Sequence, residues 1–153
     1  MTSHYVVEAD GGARGNPGPA AFGAVVLTDG QPVRFLAGAL GVATNNVAEY
    51  HGVLAGLTWI ARHETTATVE ARLDSKLVVE QMSGRWKIKH PDMRALAAQV
   101  RAAYPPQLVT YTWVPRGQNR RADALVNEVL DTGSDSWVID RPGPMASESL
   151  PNG

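Results

Sequence analysis

The chain has 153 residues, of which 44% are apolar and 19% are charged, and its formal net charge is −1. This composition is typical of a single globular domain with a hydrophobic core, and it excludes disordered and fibrous proteins. The chain contains no cysteine, which excludes disulfides and zinc–thiolate sites. It also shows no signal peptide and no apolar run near the roughly 20 residues that span a bilayer, so we expect a cytoplasmic protein without a membrane segment.

The opening of the chain predicts an antiparallel meander. A turn-rich loop at 11–19 follows the first strand, and Asp29-Gly30 is a strong hairpin signal between the second and third. Apolar runs bounded by these turn signals predict strands over residues 5–9, 20–28 and 33–40.

A helical period follows over residues 44–63, and either Thr44 or Asn45 can cap its start. A stripe of small side chains on this helix allows close approach to a sheet, at some cost in helix propensity. The stripe consists of Ala48, Gly52 and Gly56.

The second half of the chain alternates strand and helix. Strands are predicted over 68–73 and 109–114, and helices over 76–82, from His90 or Asp92 to Ala103, and over 120–130. This order predicts an α/β fold with a mixed sheet and helices on its faces. From Thr132 onward the sequence loses periodicity and gains Gly, Pro and Ser. We therefore predict one domain over residues 1–131 and a flexible tail or linker over 132–153.

Four acidic residues lie beside apolar segments, where an acid is costly unless it is hydrated, paired or bound to a cation. They are Asp10, Glu49, Asp74 and Asp123. Asp10 and Asp74 follow predicted parallel strands, and the carboxyl ends of such strands carry the sites of α/β sheets. Carboxylates on rigid elements suit hard cations such as Mg²⁺, and two such ions can clamp a phosphoryl displacement. Taken singly, each acid also has an ordinary alternative role as an exposed helix acid, a turn residue or an acid at a helix N-terminus.

Charge is distributed unevenly along the chain. Residues 1–80 hold five basic and eight acidic side chains, whereas residues 84–101 hold five basic side chains and one acid. The second part could hold a polyanion while the carboxylates of the first hold cations. A solvated basic helix face is the alternative.

At four places the sequence resembles the type 1 ribonuclease H family. The matching segments, which lie within residues 4–131, are DGGARGNPGP from Asp10, TNNVAEY from Thr44, DS at Asp74 and NRRADAL from Asn119. The resemblance implies a ribonuclease H-like α/β fold, with a five-stranded mixed sheet in the order 3-2-1-4-5 and helices on both faces.

The same resemblance implies an endoribonuclease that hydrolyses the RNA strand of RNA–DNA hybrids by a two-metal-ion mechanism, leaving 3′-hydroxyl and 5′-phosphate ends. Asp10, Glu49, Asp74 and Asp123 would be its catalytic residues and the ligands of two Mg²⁺ or Mn²⁺ ions in the substrate complex.

Further residues would contact the hybrid. In the family, the glycine-bearing loop meets the minor groove and the 2′-hydroxyl, which distinguishes RNA from DNA. Asn45 and Asn46 would bind bases or sugars, although one of them could instead cap the helix. The predicted substrate contacts are Gly11, Gly12, Arg14, Asn16, Asn45, Asn46, Arg85, Trp86, Lys87, Lys89, Arg116 and Asn119.

Two features depart from the best-known bacterial members. The basic protrusion that grips the hybrid is missing, so only the short connector that carries Arg85 to Lys89 could hold phosphate or stack on a sugar. Trp86 could equally pack beneath this connector. Arg116 stands in a shortened loop where many members have a histidine, and arginine cannot shuttle protons near neutral pH. Structural or exposed positions are expected for His4, His51, His63 and His90.

The sequence leaves two alternatives: a catalytically silent module that binds hybrids, and a related nuclease or integrase that acts on DNA. We expect a monomer. Actinobacterial proteins similar to this chain join such a nuclease to a C-terminal phosphatase-like domain, so the chain could be one domain of a longer protein.

Overall fold

The computed structural model describes residues 3–144, which contain one mixed sheet of six strands. The strands are β1 (His4–Ala13), β2 (Gly18–Thr28), β3 (Gln31–Ala43), β4 (Thr68–Leu73), β5 (Val109–Trp113) and β6 (Val138–Pro142). Their order is β5-β4-β1-β2-β3-β6. The neighbours β1, β4 and β5 run parallel, whereas β1, β2, β3 and β6 pair antiparallel in turn. The predicted order of the first five strands is confirmed, but the predicted count of five is wrong by one.

The additional strand, β6, comes from the segment that composition predicted to be a flexible tail. It pairs with the outer edge of β3, from Gly38 opposite Val138 to Arg34 opposite Pro142. Only Ile139 of this strand is buried. The sequence VIDRP alternates too little between apolar and polar residues to predict a strand. The part of the tail from residue 145 onward lies outside the described residues, and the division of the chain at residue 131 stays a prediction.

Four helices cover the two faces of the sheet, as predicted. They are α1 (Asn45–Ala61), α2 (Lys76–Met82), α3 (Pro91–Ala103) and α4 (Arg120–Asp131). α1, α2 and α3 pack on one face of the sheet. The core that they form with it includes Val7, Tyr50 and Val100. α4 packs on the other face through Leu125 and Val129. Within residues 3–144, no helix combines the length and apolar character needed to cross a bilayer.

β1 continues through much of the segment that the sequence predicted to be a loop. Its pairing with β4 ends at Ala9, but Asp10 to Ala13 remain paired with β2. The glycines predict a turn by composition, yet the antiparallel partner supplies regular hydrogen bonds, so the connection shrinks to residues 14–17. Asp10 therefore lies inside a continuous strand, at the level where the parallel pairing stops.

The small-residue stripe of α1 packs directly on β1, as predicted. A Cβ atom added to Gly52 would lie 2.8 Å from the carbonyl oxygen of Asp10, and one added to Gly56 would lie 2.5 Å from Cγ1 of Val7. Real Cβ atoms do not approach other atoms so closely, which explains why glycine occupies these helical positions despite its low helix propensity. The close packing brings the first turns of α1 against the acid-bearing part of β1.

Candidate active site

Three of the four predicted acids converge where β1, α1 and β4 meet. Asp10 lies on β1, Glu49 lies near the start of α1, and Asp74 directly follows β4. Each offers one carboxylate oxygen, and these three oxygens lie within 4.8 Å of one another. Asp10 and Glu49 are buried, and the side chain of Asp74 is 11% exposed. Three carboxylates this close repel one another unless they bind protons or a cation.

Burial and mutual repulsion both favour the protonated forms of these acids. Burial, followed by the charge of Asp74, raises the pKa of Asp10 to about 7. Burial and then Asp10 and Asp74 raise the pKa of Glu49 well above its ordinary value. The pKa of Asp74 is also raised, chiefly by burial, although the guanidinium of Arg116 opposes this shift. Protein groups alone thus compensate the negative charge of the three carboxylates poorly.

Oxygen Oε2 of Glu49 is buried and has no hydrogen-bond partner among the described residues. A buried acceptor without a partner is costly, and a cation is the group that would satisfy it here. The donors are all carboxylate oxygens, which suit hard ions such as Mg²⁺ and Mn²⁺. The residues present therefore fit a divalent metal centre.

Asp123, the fourth predicted acid, lies beside this cluster rather than within it. It belongs to the first turn of α4 and lines the same cavity, of about 370 Å³, as the other three acids. Its Oδ2 accepts a hydrogen bond of 3.3 Å from Nδ2 of Asn127. Its charge contributes to the raised pKa values of both Asp10 and Asp74, so the four acids share one electrostatic environment.

The loop after β1 is tied to the start of α1 by two asparagine side chains. Oδ1 of Asn45 accepts a hydrogen bond of 2.7 Å from the backbone N–H of Ala13, and Oδ1 of Asn16 accepts one of 3.0 Å from the backbone N–H of Asn45. Thr44, one of the two predicted residues, caps α1 by accepting from the N–H of Val47 at 3.3 Å. The asparagines therefore hold the loop against the helix rather than cap it.

Several predicted substrate contacts border the acid cavity. They are Gly11, Gly12, Arg14, Asn45, Asn46 and Arg116. The side chain of Arg14 forms an ion pair with Asp131 at the far end of α4. Arg116 is 89% exposed, and its Nε lies 3.8 Å from Oδ2 of Asp74. Arg116 is therefore a solvent-exposed cation with a long side chain, next to the carboxylate cluster.

The predicted connector contacts, Arg85, Trp86, Lys87 and Lys89, lie between α2 and α3 and do not line the acid cavity. Trp86 is 45% exposed, so a large part of its ring is open to solvent while the rest is covered by the protein. The guanidinium of Arg85 donates two hydrogen bonds to the carboxylate of Glu80, one from Nε to Oε2 and one of 3.0 Å from Nη2 to Oε1. Lys87 and Lys89 are exposed and form no ion pair within residues 3–144.

Asn119 is fully buried, which does not fit the predicted substrate contact. Its Nδ2 donates a hydrogen bond of 2.8 Å to the carbonyl oxygen of Ala9. The residue thereby joins the start of α4 to β1 next to Asp10. A motif match alone could not distinguish this buried role from a surface contact.

The four histidines occupy positions away from the acid cavity that the described residues form. His90 caps α3, and Nδ1 of His4 lies 2.7 Å from Oγ1 of Thr68. Nδ1 of His63 lies 2.9 Å from the carbonyl oxygen of Trp59. His51 lies near the ring of Phe22, and burial lowers its pKa.

Sequence reasoning missed one charged residue beside the cluster. Glu8 is buried on β1 and accepts two hydrogen bonds from Arg121, of 3.0 Å from Nε and 2.8 Å from Nη2. Because side chains alternate along a strand, Glu8 faces the same side of the sheet as Asp10. An acid in the apolar run YVVEAD was the available signal, but its partner lies 113 residues away and no pattern indicates it.

The sequence matches the family model described as "Reverse transcriptase-like" over residues 8–129. The bifunctional protein Rv2228c of Mycobacterium tuberculosis is 49% identical over 138 residues, which cover 88% of this chain and 38% of that protein. The chain thus spans well under half the length of this relative.

Two solved structures share the fold over nearly their whole length. The N-terminal RNase H domain of Rv2228c, solved as a fusion with maltose-binding protein, has a TM-score of 0.80 at 49% identity, covering 86% of this chain and 96% of that chain. LC11-RNase H1, solved in complex with an RNA/DNA hybrid, has a TM-score of 0.78 at 34% identity, covering 84% and 98%. Together with the carboxylate cluster, these matches show that the chain belongs to the type 1 ribonuclease H family.

Proposed function

We propose that this protein is an endoribonuclease that hydrolyses the RNA strand of RNA–DNA hybrids. The observation that carries the proposal is the convergence of Asp10, Glu49 and Asp74 within 4.8 Å, on rigid elements and with one buried oxygen unsatisfied. A protein that only binds hybrids would gain nothing from carboxylates that repel phosphate. Family membership and the hybrid bound to LC11-RNase H1 support this substrate.

Asp10, Glu49, Asp74 and Asp123 would hold two divalent cations, Mg²⁺ or Mn²⁺, in the substrate complex. When bound, such ions activate the attacking water and stabilise the leaving oxygen of an in-line displacement, which yields 3′-hydroxyl and 5′-phosphate ends. The acids themselves supply ionised oxygens at fixed positions. Because the pKa values of Asp10 and Glu49 are raised, these acids would release bound protons when a cation takes the place of the protons.

The surfaces beside the acids would hold the two strands. Backbone groups at Gly12 face the acid cavity and can approach a 2′-hydroxyl closely because no side chain intervenes. The link between Asn16 and Asn45 would keep this backbone in place. Across the connector, the exposed Lys87 and Lys89 would neutralise phosphates of the DNA strand.

Cleavage of defined duplexes tests the proposal. An RNA–DNA hybrid, an all-DNA duplex and double-stranded RNA of one sequence are incubated with the protein and either Mg²⁺ or Mn²⁺. We expect short RNA fragments from the hybrid, with 3′ ends that a polymerase can extend, and an intact all-DNA duplex. Binding of the hybrid without cleavage would instead identify a silent binding module, and cleavage of the all-DNA duplex would identify a DNA-directed nuclease.

We also propose that the domain is a monomer in the cytoplasm and that a second domain is covalently linked to it, which the name of the bifunctional relative and its N-terminal RNase H domain support. Sedimentation of the chain at a mass near 16.4 kDa would support the monomer, and a mass near twice that value would contradict it.

A further inference from the structure

The ion pair between Glu8 and Arg121 connects the two elements that carry Asp10 and Asp123. Glu8 precedes Asp10 by two residues on β1, and Arg121 precedes Asp123 by two residues in the first turn of α4. The guanidinium of Arg121 binds both oxygens of Glu8, at 3.0 and 2.8 Å. Such a two-bond fork fixes orientation as well as distance, which a single bond cannot do.

Among the residues that the structure describes, Arg121 is the one side chain that pairs with Glu8. The side chain of Glu8 is 8% exposed, and all of its described hydrogen bonds come from Arg121. Arg72, the neighbour of Glu8 across the β1–β4 pairing, is already engaged by Glu70 at 2.9 Å. No other cation within residues 3–144 forms an ion pair with Glu8.

The orientation of the first turn of α4 decides where Asp123 lies. Asp123 is not among the three acids whose oxygens meet within 4.8 Å, so its reach toward them depends on how this turn is held. Two side-chain contacts attach the turn to β1: Asn119 to the carbonyl oxygen of Ala9, and Arg121 to Glu8. They lie on consecutive residues of β1, immediately before Asp10.

From this geometry we infer that Glu8 and Arg121 are positioning residues, whose ion pair orients the first turn of α4 and thereby holds the Asp123 carboxylate beside the other three acids. The inference rests on the proposed function, because it assigns Asp123 to the same metal centre.

The chain offers a matched control at the opposite end of the same helix. Arg141 on β6 binds Glu128 of α4 with two bonds of 3.3 Å. This pair also joins an arginine, a glutamate, a strand and α4, but it lies near the helix C-terminus and away from the acids. Arg141→Met therefore removes a similar pair without disturbing the first turn.

The experiment compares Arg121→Met, Arg121→Lys and Arg141→Met with the unaltered protein. For each protein we would measure kcat and KM for hybrid cleavage, and the Mn²⁺ concentration that gives half of the maximal increase in Tm. Groups that orient metal ligands typically contribute about 10- to 100-fold to activity or metal affinity. We expect Arg121→Met to lower kcat by about 10-fold or more with KM changed less than about 2-fold, and to raise the half-saturating Mn²⁺ concentration.

Arg121→Lys keeps the charge but loses the fork, so an intermediate loss is expected, and it serves as the test if Arg121→Met does not fold. Arg141→Met should keep kcat within about 2-fold of the unaltered protein. Equal kcat and Mn²⁺ dependence in all four proteins would overturn the positioning role. If the unaltered protein cleaves no hybrid, the proposed function fails by itself, and the Mn²⁺-dependent Tm still decides whether Arg121 orients the site.

Discussion

Gly11 and Ala48 pack backbone against backbone, and a Cβ atom added to Gly11 would lie 2.2 Å from the carbonyl carbon of Ala48. These residues directly adjoin Asp10 and Glu49 in the sequence. The closeness of β1 and α1 at this point therefore determines how near the two carboxylates come. The glycine that follows Asp10 thus has a structural reason that is independent of any contact with substrate.

We expect Gly11→Ala to push α1 away from β1, to lower the free energy of unfolding by about 1–3 kcal/mol, and to reduce hybrid cleavage. Gly12→Ala is the matched control for stability, because its Cβ would lie at an ordinary 3.5 Å from Cγ1 of Val126. Denaturant unfolding and a cleavage assay measure the two effects. Equal stability of the two variants would contradict the packing argument.

Much of this site could be predicted from the sequence because its signals are local. Asp10 and Asp74 follow the apolar runs of two strands, Glu49 lies in the first turns of a clearly periodic helix, and the order of these elements predicts that they meet. The features that escaped prediction depend on distant partners. β6 is recognisable only by its pairing with β3, and the bond between Glu8 and Arg121 joins residues 113 apart.

The same limit applies to two further errors of interpretation. The glycine-rich segment after Asp10 predicted a loop, because composition does not show that β2 continues alongside it as a partner. Asn119 matched a motif that suggested substrate contact, yet only the packing of α4 on β1 reveals that its side chain is buried.

The pH dependence of stability follows from the raised pKa values. Asp10 has a pKa of about 7 in the folded protein against 3.8 as its ordinary value, so between these values the folded state binds more protons than the unfolded state. Glu49 acts in the same direction above its ordinary value of 4.5. In the presence of a chelator, the free energy of unfolding should therefore decrease as the pH rises from about 4 to about 7.

Chemical denaturation at pH 5 and pH 8 measures this effect. Asp10→Asn should show a weaker dependence, because it removes one raised group and part of the repulsion on Glu49. The lowered pKa values of Glu70 and Glu80 act below 4.5 and thus outside the interval from pH 5 to pH 8. The lowered pKa of His51 acts inside this interval and increases stability as the pH rises, so it offsets part of the decrease caused by the acids. Greater stability at pH 8 than at pH 5 in the chelated protein would be inconsistent with the crowded carboxylates.

Divalent cations should counteract the loss of stability that is expected as the pH rises. Because a cation needs ionised ligands, Mg²⁺ or Mn²⁺ is expected to raise Tm more at pH 8 than at pH 5. Asp10→Asn should respond much less at pH 8 than the unaltered protein does. A similar increase in Tm at both pH values, or in both proteins, would indicate binding elsewhere on the surface.

The connector should supply salt-dependent binding to the hybrid. We expect Arg85→Ala, Lys87→Ala and Lys89→Ala together to weaken binding and to flatten the dependence of log Kd on log salt concentration. Arg62→Ala is the control, since Arg62 follows the C-terminal end of α1 whereas Glu49 lies near its start, about 20 Å away along the helix. Fluorescence anisotropy with Ca²⁺ in place of Mg²⁺ measures binding. An unchanged salt slope in the triple variant would show that the connector does not meet phosphate.

The proposed hydrolysis of the RNA strand depends most directly on Asp10. A hybrid with a 5′-labelled RNA strand is incubated with the unaltered protein or with Asp10→Asn, in Mg²⁺ or Mn²⁺, and the RNA is resolved by length. We expect the unaltered protein to shorten the RNA and Asp10→Asn to leave it intact, while the variant remains folded and binds the hybrid at least as tightly. Intact RNA with the unaltered protein in both metals, or turnover by Asp10→Asn near that of the unaltered protein, would contradict the central claim.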